Sequence, residues 1–395
     1  MIRGDKPDNL FPSSWVYPPL SLLKDEEKVD GRKLKTTAFT IEKVLKSKDI
    51  KARVEEINVG PTVIQYLIKA TNNNVKEIDN QKKLLAEKLG VINDLIRICD
   101  EKERGEGSIG IEIANDQLIP ACLKSILASE TMYTEKNRLA IGIGLDISGD
   151  IMKFNLLKVK YTLITGIAGS GRNSFLRMII STLLFRTKPD EIRLIIFDPN
   201  KKLTAFKDIP YLLSPITTNP DSSLSALVWA IGEIQRRKKL FHGVKIKNID
   251  AYNQFSGYMM VPRIVIIADD LDRLSNSDRS PYGFISKIIE EGADAGVHLI
   301  ISDENISHMK LKRLPEKPFL TTFKLATKKD SNLILGQSIA EKLLGRGDML
   351  IKESKNAFPK RIQATFISPA EIVLLVDFIN NNNKGFNEYY KNIDS

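Results

Sequence analysis

The chain has 395 residues, of which 42% are hydrophobic and 27% are charged, a balance typical of a globular protein and not of a disordered one. No apolar stretch approaches the roughly 20 residues that cross a bilayer, and the polar N-terminus has no signal-peptide pattern, so we expect a cytoplasmic protein. The formal net charge of +10 at pH 7 favours a polyanionic partner such as nucleic acid, although an Asn- and Lys-rich genome produces the same balance.

The N-terminal third of the chain predicts an extended arm followed by a small α+β unit. Four prolines within residues 1–20 favour the extended arm. Apolar residues at helical spacing, and β-branched residues in alternation, then predict helices and strands over residues 21–130. The predicted helices are Thr36–Lys48 and Ile78–Leu89, and the predicted strands lie in Lys51–Ala70 with a turn at Gly60-Pro61, in Leu95–Ile98 and in Ser108–Ile113.

From about residue 131 to residue 379, apolar strands alternate with helices. The predicted strands are Tyr161–Thr165, Ile192–Phe197, Arg263–Ala268 and Val297–Ser302, and the predicted helices are Ser174–Arg186, Ser222–Leu240 and Phe284–Glu291. This alternation predicts a mostly parallel sheet covered on both faces, which binds ligands beyond the carboxyl ends of its strands. The tail, residues 380–395, is rich in Asn and Lys and is predicted to be flexible.

Cysteine and histidine give no sign of a metal centre. The two cysteines, Cys99 and Cys122, form no CxxC pair, and the three histidines are scattered along the chain. Structural zinc and a disulfide framework are therefore not expected.

A glycine-rich turn follows the strand Tyr161–Thr165. Gly166–Asn173 has the spacing of GxxxxGK[ST] between a strand and a helix. In such a loop, glycines let backbone N–H groups close around phosphate at a helix N-terminus. We therefore assign nucleotide binding to Gly166, Gly169, Ser170, Gly171, Arg172, Asn173 and Ser174. A purely structural turn between strand and helix is also compatible with the pattern.

Two chemically decisive positions of this loop depart from the pattern. Arg172 stands where a lysine reaches the β- and γ-phosphates, and its planar fork does not substitute freely for a compact ammonium. Asn173 stands where a hydroxyl ligates Mg²⁺, and its carbonyl oxygen can take that place.

Paired carboxylates, Asp269 and Asp270, end the apolar strand Arg263–Ala268 in the Walker B arrangement. Asp269 would hold Mg²⁺, directly or through water. Asp270 takes the place of the glutamate that polarises the attacking water, and an error of about 1 Å at such a group can cost ~100-fold in rate. Acidic residues often close a buried strand, but the pair together with the glycine loop favours a nucleotide site.

Further blocks of residues stand in a fixed order around these motifs. They are Trp15–Leu23, Gly60–Val63, Ile96–Ile98, Gly110–Asn115, Leu145–Gly149, Phe197–Pro199, Ile209–Leu213, Trp229 with Glu233 and Arg236-Arg237, Asn248–Asn253, Ala295–Leu299, Asp330-Ser331 and Leu343–Leu350. In this order they resemble the motor region of the FtsK/SpoIIIE family of DNA translocases over residues 15–379. The resemblance implies a RecA-like P-loop ATPase domain at residues 131–379, preceded by a smaller α+β subdomain at residues 21–130.

The resemblance also implies a hexameric ring that threads double-stranded DNA, uses ATP with Mg²⁺ bound between neighbouring subunits, and serves processes such as chromosome partition. Lys245, Lys247, Asn248 and Tyr252 match a loop that faces the pore, and we predict that they contact DNA. A solvated basic face gives the same pattern. Neither a membrane segment nor the C-terminal winged-helix module that reads orienting sequences is expected in this chain.

Several departures from the family pattern affect groups that act on the γ-phosphate. Glu304 replaces the glutamine of the family's Thr-Gln-Arg sensor run and adds like charge. Ala293 and Asn332 replace arginines, and Asn200 replaces a lysine. Because an arginine at the transition state is worth ~10³ or more in rate, we predict that hydrolysis is impaired, with Arg172, Asp270 and Glu304 as the catalytic positions.

Three functions are compatible with these observations. The first is a DNA translocase motor core that binds ATP and double-stranded DNA, as a homo-hexamer or in a mixed ring with an active paralogue. The second is a catalytically inactive DNA-binding or ring-forming subunit beside such a paralogue. The third is a coupling ATPase for conjugation or secretion.

Overall fold

The structure of the chain, a computed structural model, describes residues 15–25, 31–59, 63–70, 75–92, 96–100, 108–114, 121–146, 148–256, 260–274, 281–304, 318–353 and 358–384. The predicted turn at Gly60-Pro61 and residues 385–395 of the tail lie outside these ranges. The described residues form two sheets, a small antiparallel one and a large mixed one.

The small sheet carries its helices on one face. Its elements are α1 (Gly31–Lys46), β1 (Ala52–Val59), β2 (Val63–Ala70), α2 (Val75–Asn80), α3 (Lys82–Leu89), β3 (Ile96–Asp100) and β4 (Ser108–Ala114). The strand order is β1-β2-β4-β3, and Tyr66 and Ile68 of β2 pack with Ile109 and Ile111 of β4 under the helices. The single helix predicted over Ile78–Leu89 is two helices that meet at Gln81.

Within the described ranges, the large sheet has ten strands. They are β5 (Ala121–Cys122), β6 (Ala140–Asp146), β7 (Ile151–Asn155), β8 (Tyr161–Thr165), β9 (Ile192–Phe197), β10 (Arg263–Asp269), β11 (Val297–Asp303), β12 (Phe319–Phe323), β13 (Asp348–Lys352) and β14 (Lys360–Phe366). Their order is β7-β6-β14-β13-β12-β8-β11-β10-β9, with β5 paired to β14.

The parallel centre of this sheet determines where the chemistry lies. The neighbours β12, β8, β11, β10 and β9 all run parallel. Because β11 lies between β8 and β10, the three segments that follow these strands come together at one edge. Those segments are the glycine loop, Asp270 and Glu304. The predicted mostly parallel sheet of a RecA-like domain is confirmed.

Helices cover both faces of the large sheet. They are α4 (Leu123–Ala128), α5 (Glu130–Tyr133), α6 (Arg172–Arg186), α7 (Pro220–Gly243), α8 (Ile249–Ser256), α9 (Tyr282–Glu291), α10 (Lys328–Leu335) and α11 (Pro369–Asn382). Successive strand residues point to opposite faces, so Ile164 of β8 packs into the core with α6 and α11, while Leu163 packs into the core with α7 and α9. No helix in the described ranges is long and apolar enough to cross a membrane.

Segments near both predicted domain boundaries pack on the large sheet. Leu123 and Leu127 of α4 belong to its core, although the boundary at residue 130 assigned them to the small unit. In the N-terminal arm, the Trp15 ring meets the Tyr211 ring edge-on at 5.6 Å between centroids. The N–H of Val16 donates to the side chain of Asn383, just beyond α11. The domain limits themselves stay a prediction.

A buried ion cluster joins the two units. Arg361 of β14 donates to both carboxylate oxygens of Asp348 in β13, at 2.8 Å each. The same guanidinium donates to Glu112 of β4 in the small unit. Since each of these buried charges needs its partner, the cluster ties the small sheet to strands β13 and β14 of the large one.

Candidate functional site

The glycine loop has its shape because two close backbone approaches exclude side chains. A Cβ on Gly171, whose φ is +117°, would lie 2.7 Å from the backbone nitrogen of Gly347. A Cβ on Gly166 would lie 2.5 Å from Cβ of Phe323 in β12. The N–H of Gly347 donates to the carbonyl of Ser170 at 2.9 Å, which anchors the loop to the segment before β13.

The serines of the loop have different surroundings. Ser170 is buried, and its hydroxyl donates to the carbonyl of Ile167 at 2.7 Å. Ser174, in the first turn of α6, lines the cavity beside the loop. Gly169 is exposed at the loop tip with a φ of +75°. Of the two serines assigned to nucleotide, Ser174 thus lines the cavity, whereas Ser170 holds the loop together.

Arg172 is buried and points across the edge of the sheet towards the acidic residues. Its Nη1 lies 3.4 Å from Oδ1 of Asp269 and 3.2 Å from Oγ of Ser302. Its Nη2 lies 3.6 Å from Oε2 of Glu304. The predicted phosphate-binding cation therefore already has three partners within the protein.

Asp269 is the buried member of the carboxylate pair. Burial raises its pKa above the ordinary value, and the nearby Arg172 and the hydrogen bond from Ser302 oppose that rise. Its Oδ1 accepts from Ser302 at 2.8 Å, whereas its Oδ2 has no hydrogen-bond partner. Oδ1 of Asn173 is likewise buried without a partner.

These two oxygen atoms fit the donor set that Mg²⁺ prefers. In the parts of the chain that the structure describes, no group of three His, Cys, Asp or Glu side chains is suited to a metal ion. Magnesium held beside a nucleotide needs only one or two protein ligands, because phosphate and water supply the rest. Asp269 and Asn173 are therefore reasonable ligands for nucleotide-bound Mg²⁺ but not for a permanent metal centre.

Asp270 adopts a left-handed backbone conformation, with a φ of +56°. Its Oδ2 accepts from the side-chain amide of Asn200 at 3.0 Å and lies 3.0 Å from Nε of Arg273. The carboxylate predicted to polarise water is thus engaged by an amide and a guanidinium.

Glu304, immediately after β11, reaches the glycine loop. Its Oε1 accepts a hydrogen bond from the backbone N–H of Ala168 at 3.0 Å. Its Oε2 faces Nη2 of Arg172. A carboxylate therefore makes the two kinds of contact, backbone N–H and guanidinium, that the sequence predicted for phosphate.

A cavity of about 640 Å³ opens beside the loop, within the size range of small-molecule and cofactor sites. Its lining includes residues that the sequence did not single out for the site, namely Lys202, Arg273, Arg346 and Phe366. Arg346 carried one available signal, because it is flanked by Gly345 and Gly347, and all three residues have positive φ. Phe366 carried none, since the position of β14 in the sheet depends on its pairing with β6, which is distant in sequence.

Of the predicted DNA contacts, Lys245, Lys247 and Asn248 lie on the turn between α7 and α8, and Tyr252 lies in α8. Lys245 and Lys247 are exposed. The side-chain oxygen of Asn248 accepts from the N–H of Ala251 at 3.0 Å and caps α8. The half-buried Tyr252 packs against Phe241, with 4.9 Å between ring centroids. The two lysines face solvent, whereas Asn248 and Tyr252 have structural contacts.

This basic turn lies at the opposite edge of the sheet from the glycine loop. Asp250 of α8 pairs with Arg263, the first residue of β10. Ile249 packs against Gly296, just before β11, so closely that an added Cβ would lie 2.3 Å from Cδ1 of Ile249. The predicted DNA and nucleotide sites are thus at the amino and carboxyl ends of the same strands.

Two family models match the chain in succession. The FtsK alpha domain matches residues 17–115, and the FtsK/SpoIIIE family matches residues 122–314, which include the glycine loop and the carboxylate pair. The chain belongs to the FtsK/SpoIIIE family. The resemblance predicted from the ordered blocks is confirmed.

Curated relatives of this FtsK/SpoIIIE member are bacterial proteins named DNA translocase FtsK. The one from Clostridium acetobutylicum is 32% identical over 392 residues, which are 96% of this chain and 51% of the relative. The one from Clostridium tetani is 31% identical over 393 residues, 96% of this chain and 52% of the relative. The chain spans about half the length of the curated relatives it matches.

Solved structures with a similar fold include a conjugation coupling protein and a secretion ATPase. The conjugation coupling protein TcpA of pCW3, solved as a monomer with ATPγS, matches with a TM-score of 0.55 at 17% identity, over 90% of this chain and 99% of that one. The type VII secretion ATPase EccC of Thermomonospora curvata matches with a TM-score of 0.56 at 19% identity, over 65% of this chain and 34% of that one. At such low identity the similarity shows the fold alone.

Proposed function

We propose that this FtsK/SpoIIIE member is a DNA translocase motor core that binds ATP with Mg²⁺ and double-stranded DNA, and that it hydrolyses ATP slowly. One observation carries the proposal. The glycine loop, Arg172, Asn173 and Asp269 meet at the carboxyl edge of the sheet, beside a cavity of nucleotide size, while Asp270 has its own protein partners.

Nucleotide binding is supported by the backbone and by two side chains. The N–H groups of the loop and the amino end of α6 attract phosphate. Asp269 and Asn173 would hold Mg²⁺ through the buried oxygens that lack partners. Bound Mg²⁺ neutralises the β- and γ-phosphate oxygens. Arg172 would then exchange its contacts with Asp269 and Glu304 for contacts with phosphate.

Slow hydrolysis follows from the state of Asp270. A water-polarising carboxylate must be able to turn towards the attacking water. Oδ2 of Asp270 instead accepts from Asn200 and lies against Arg273. The family positions for arginine at 293 and 332 hold alanine and asparagine. In our proposal a neighbouring subunit, in a homo-hexamer or in a mixed ring with an active paralogue, supplies the charge that these positions lack.

DNA binding is supported by the exposed lysines of the basic turn. Lys245 and Lys247 are exposed on the turn between α7 and α8. Phosphate contacts of this kind are independent of base sequence and weaken steeply with salt. We place this activity in the cytoplasm, in DNA movement such as chromosome partition.

The contact of Arg273 with Asp270 favours a second candidate function. If that ion pair persists with nucleotide bound, the chain is a catalytically inactive ring subunit that binds DNA beside an active paralogue. This candidate keeps the nucleotide and DNA sites but removes turnover.

Duplex-stimulated ATP hydrolysis by the full chain separates the two functions. The motor proposal expects slow turnover that rises with duplex DNA and is lost in Asp269→Asn. Turnover that is absent, or equal in Asp269→Asn, rejects the motor and leaves the inactive subunit, provided that Mg-ATP still raises the melting temperature.

Duplex binding is tested separately. The double variant Lys245→Glu with Lys247→Glu should lose most of its affinity and flatten the salt dependence. The matched control is Lys46→Glu with Lys48→Glu, two exposed lysines at the end of α1 in the small unit. Equal affinity in the two double variants would remove the basic turn from the proposal.

A further inference from the structure

Glu304 makes contacts with the glycine loop that a bound phosphate would otherwise make. It is the first residue after β11, so its backbone position is determined by a strand whose last pair is Asp303 with Thr165 of β8. From there its Oε1 accepts from the N–H of Ala168 at 3.0 Å, and its Oε2 lies 3.6 Å from Nη2 of Arg172. The side chain also lines the cavity beside the loop.

A carboxylate on these partners resembles a phosphate in charge and in donor requirement. Phosphate at a glycine loop binds backbone N–H groups and a basic side chain. Glu304 uses a backbone N–H of the loop tip together with the cation of the loop. The same N–H and the same guanidinium cannot serve both anions fully at once.

We propose that Glu304 is a tethered competitor of nucleotide, an internal carboxylate that occupies the phosphate-binding loop and must leave before a nucleotide binds. This inference rests on the proposed function, because it regulates the same site. It differs from simple charge repulsion, which requires a negative charge near the site but no contact with the loop.

Length and charge of the side chain separate these two explanations. Glu304→Asp keeps the charge but withdraws the carboxylate by about one methylene, which breaks the contact with Ala168. Glu304→Ala removes both charge and contact. Glu304→Gln removes the charge but keeps an amide oxygen that can still accept from Ala168.

The experiment is the dissociation constant of ATP and of ADP, each with Mg²⁺, measured by calorimetry on the full chain and these three variants. If Glu304 is a tethered competitor, Glu304→Ala and Glu304→Asp should both bind nucleotide at least about tenfold more tightly than the unmodified chain. In these variants the charge-assisted contact of Glu304 with the loop no longer has to be broken. Glu87→Ala, which removes an exposed carboxylate from α3, is the control and should bind as the unmodified chain does.

Two results would overturn the inference. Equal affinity in the unmodified chain and Glu304→Ala means that the carboxylate does not compete. Tighter binding by Glu304→Ala and Glu304→Gln, with Glu304→Asp unchanged, means repulsion without occupation.

If no protein binds nucleotide, the ATP proposal fails by itself. The amide resonance of Ala168 in the nucleotide-free protein then decides the inference. Occupation requires that this resonance shifts between the unmodified chain and both Glu304→Ala and Glu304→Asp, whereas an unchanged resonance rejects it.

Discussion

The glycine loop and the acidic edge beside it, formed by Asp269 and Asp270, are built by different forces. The loop is shaped by backbone approaches such as that of Gly171 to Gly347, which require the absence of side chains. The acidic edge is shaped by charges that neutralise one another, Asp269 with Arg172 and Asp270 with Arg273.

This difference in forces means that the shape of a nucleotide site can persist when its chemistry does not. A loop held by packing keeps its form whether or not its side chains still act on a ligand. An edge whose charged side chains pair with one another keeps those side chains, but fewer of them can contact a ligand. The following predictions test that separation, from the largest expected effect to the smallest.

Arg361→Met should have the largest effect, because it leaves the buried Asp348 and Glu112 without their cation. Asp348 follows Gly347 directly, so the loss also tests how far the loop depends on this remote cluster. We expect a loss of about 3–5 kcal/mol in the free energy of unfolding, measured with urea. Arg97→Met, which removes a longer and partly exposed contact to Glu112, should cost less than about 1 kcal/mol. Equal losses would mean that the cluster contributes no more than a surface pair.

Gly171→Ala should destabilise the chain by about 3 kcal/mol, since it combines backbone strain with a clash. Gly169→Ala is the matched control, because its φ is also positive but no atom lies within 4 Å of the added Cβ. We expect about 1–2 kcal/mol for the control, from strain alone. Urea unfolding of both variants measures the difference, and similar values would show that close approach does not shape the loop.

The middle of β11 should not tolerate a charged side chain, although acidic residues lie at its carboxyl end. Burial lowers the pKa of His298 to about 4, from an ordinary value of 6.5. Both folded and unfolded chains are neutral at this position above pH 6.5, and below it only the unfolded chain gains a proton until the pH nears 4. The free energy of unfolding should therefore fall by about 2 kcal/mol between pH 7 and pH 5 from this residue.

His298→Leu tests that assignment. The variant should unfold with a weaker pH dependence between pH 7 and pH 5, measured by urea titration at each pH. The same slope in both proteins would place the proton uptake elsewhere.

Arg273→Ala should have the smallest energetic effect and the most informative one. Removing the guanidinium frees one contact of Asp270, while Asn200 keeps the other. We expect turnover of ATP to rise about threefold to tenfold, which corresponds to about 0.7–1.4 kcal/mol in the barrier. Adding Asp269→Asn should abolish the gain. Unchanged turnover would mean that pairing of Asp270 with Arg273 does not limit hydrolysis.

Local pattern predicted the parts of the fold that depend on short stretches of chain. The strands Tyr161–Thr165 and Ile192–Phe197 have the predicted bounds, because buried parallel strands are continuous apolar runs. The antiparallel strands β13 and β14 were not predicted, and of the strands they pair with in the sheet, β6 is far away in sequence.

The same limit applies to the candidate site. The sequence identified Glu304 as an added charge, but its contact with Ala168 depends on β11 lying beside β8. The pairing of Asp270 with Arg273 involves neighbours in sequence, yet no motif predicts it, because the backbone of Asp270 has an unusual φ. Residue identity predicted which groups form the site, and tertiary contact decided which of them remain free.

Strand β10 connects the two edges of the sheet directly. It begins at Arg263, which pairs with Asp250 beside the basic turn, and ends at Asp269 in the acidic edge. Its seven residues span about 20 Å, and a strand bonded on both sides cannot change its length. A displacement at one end of β10 therefore reaches the other end only as a movement of the whole strand. If bound DNA raises the affinity of the chain for nucleotide by this route, bound nucleotide must raise its affinity for DNA by the same factor.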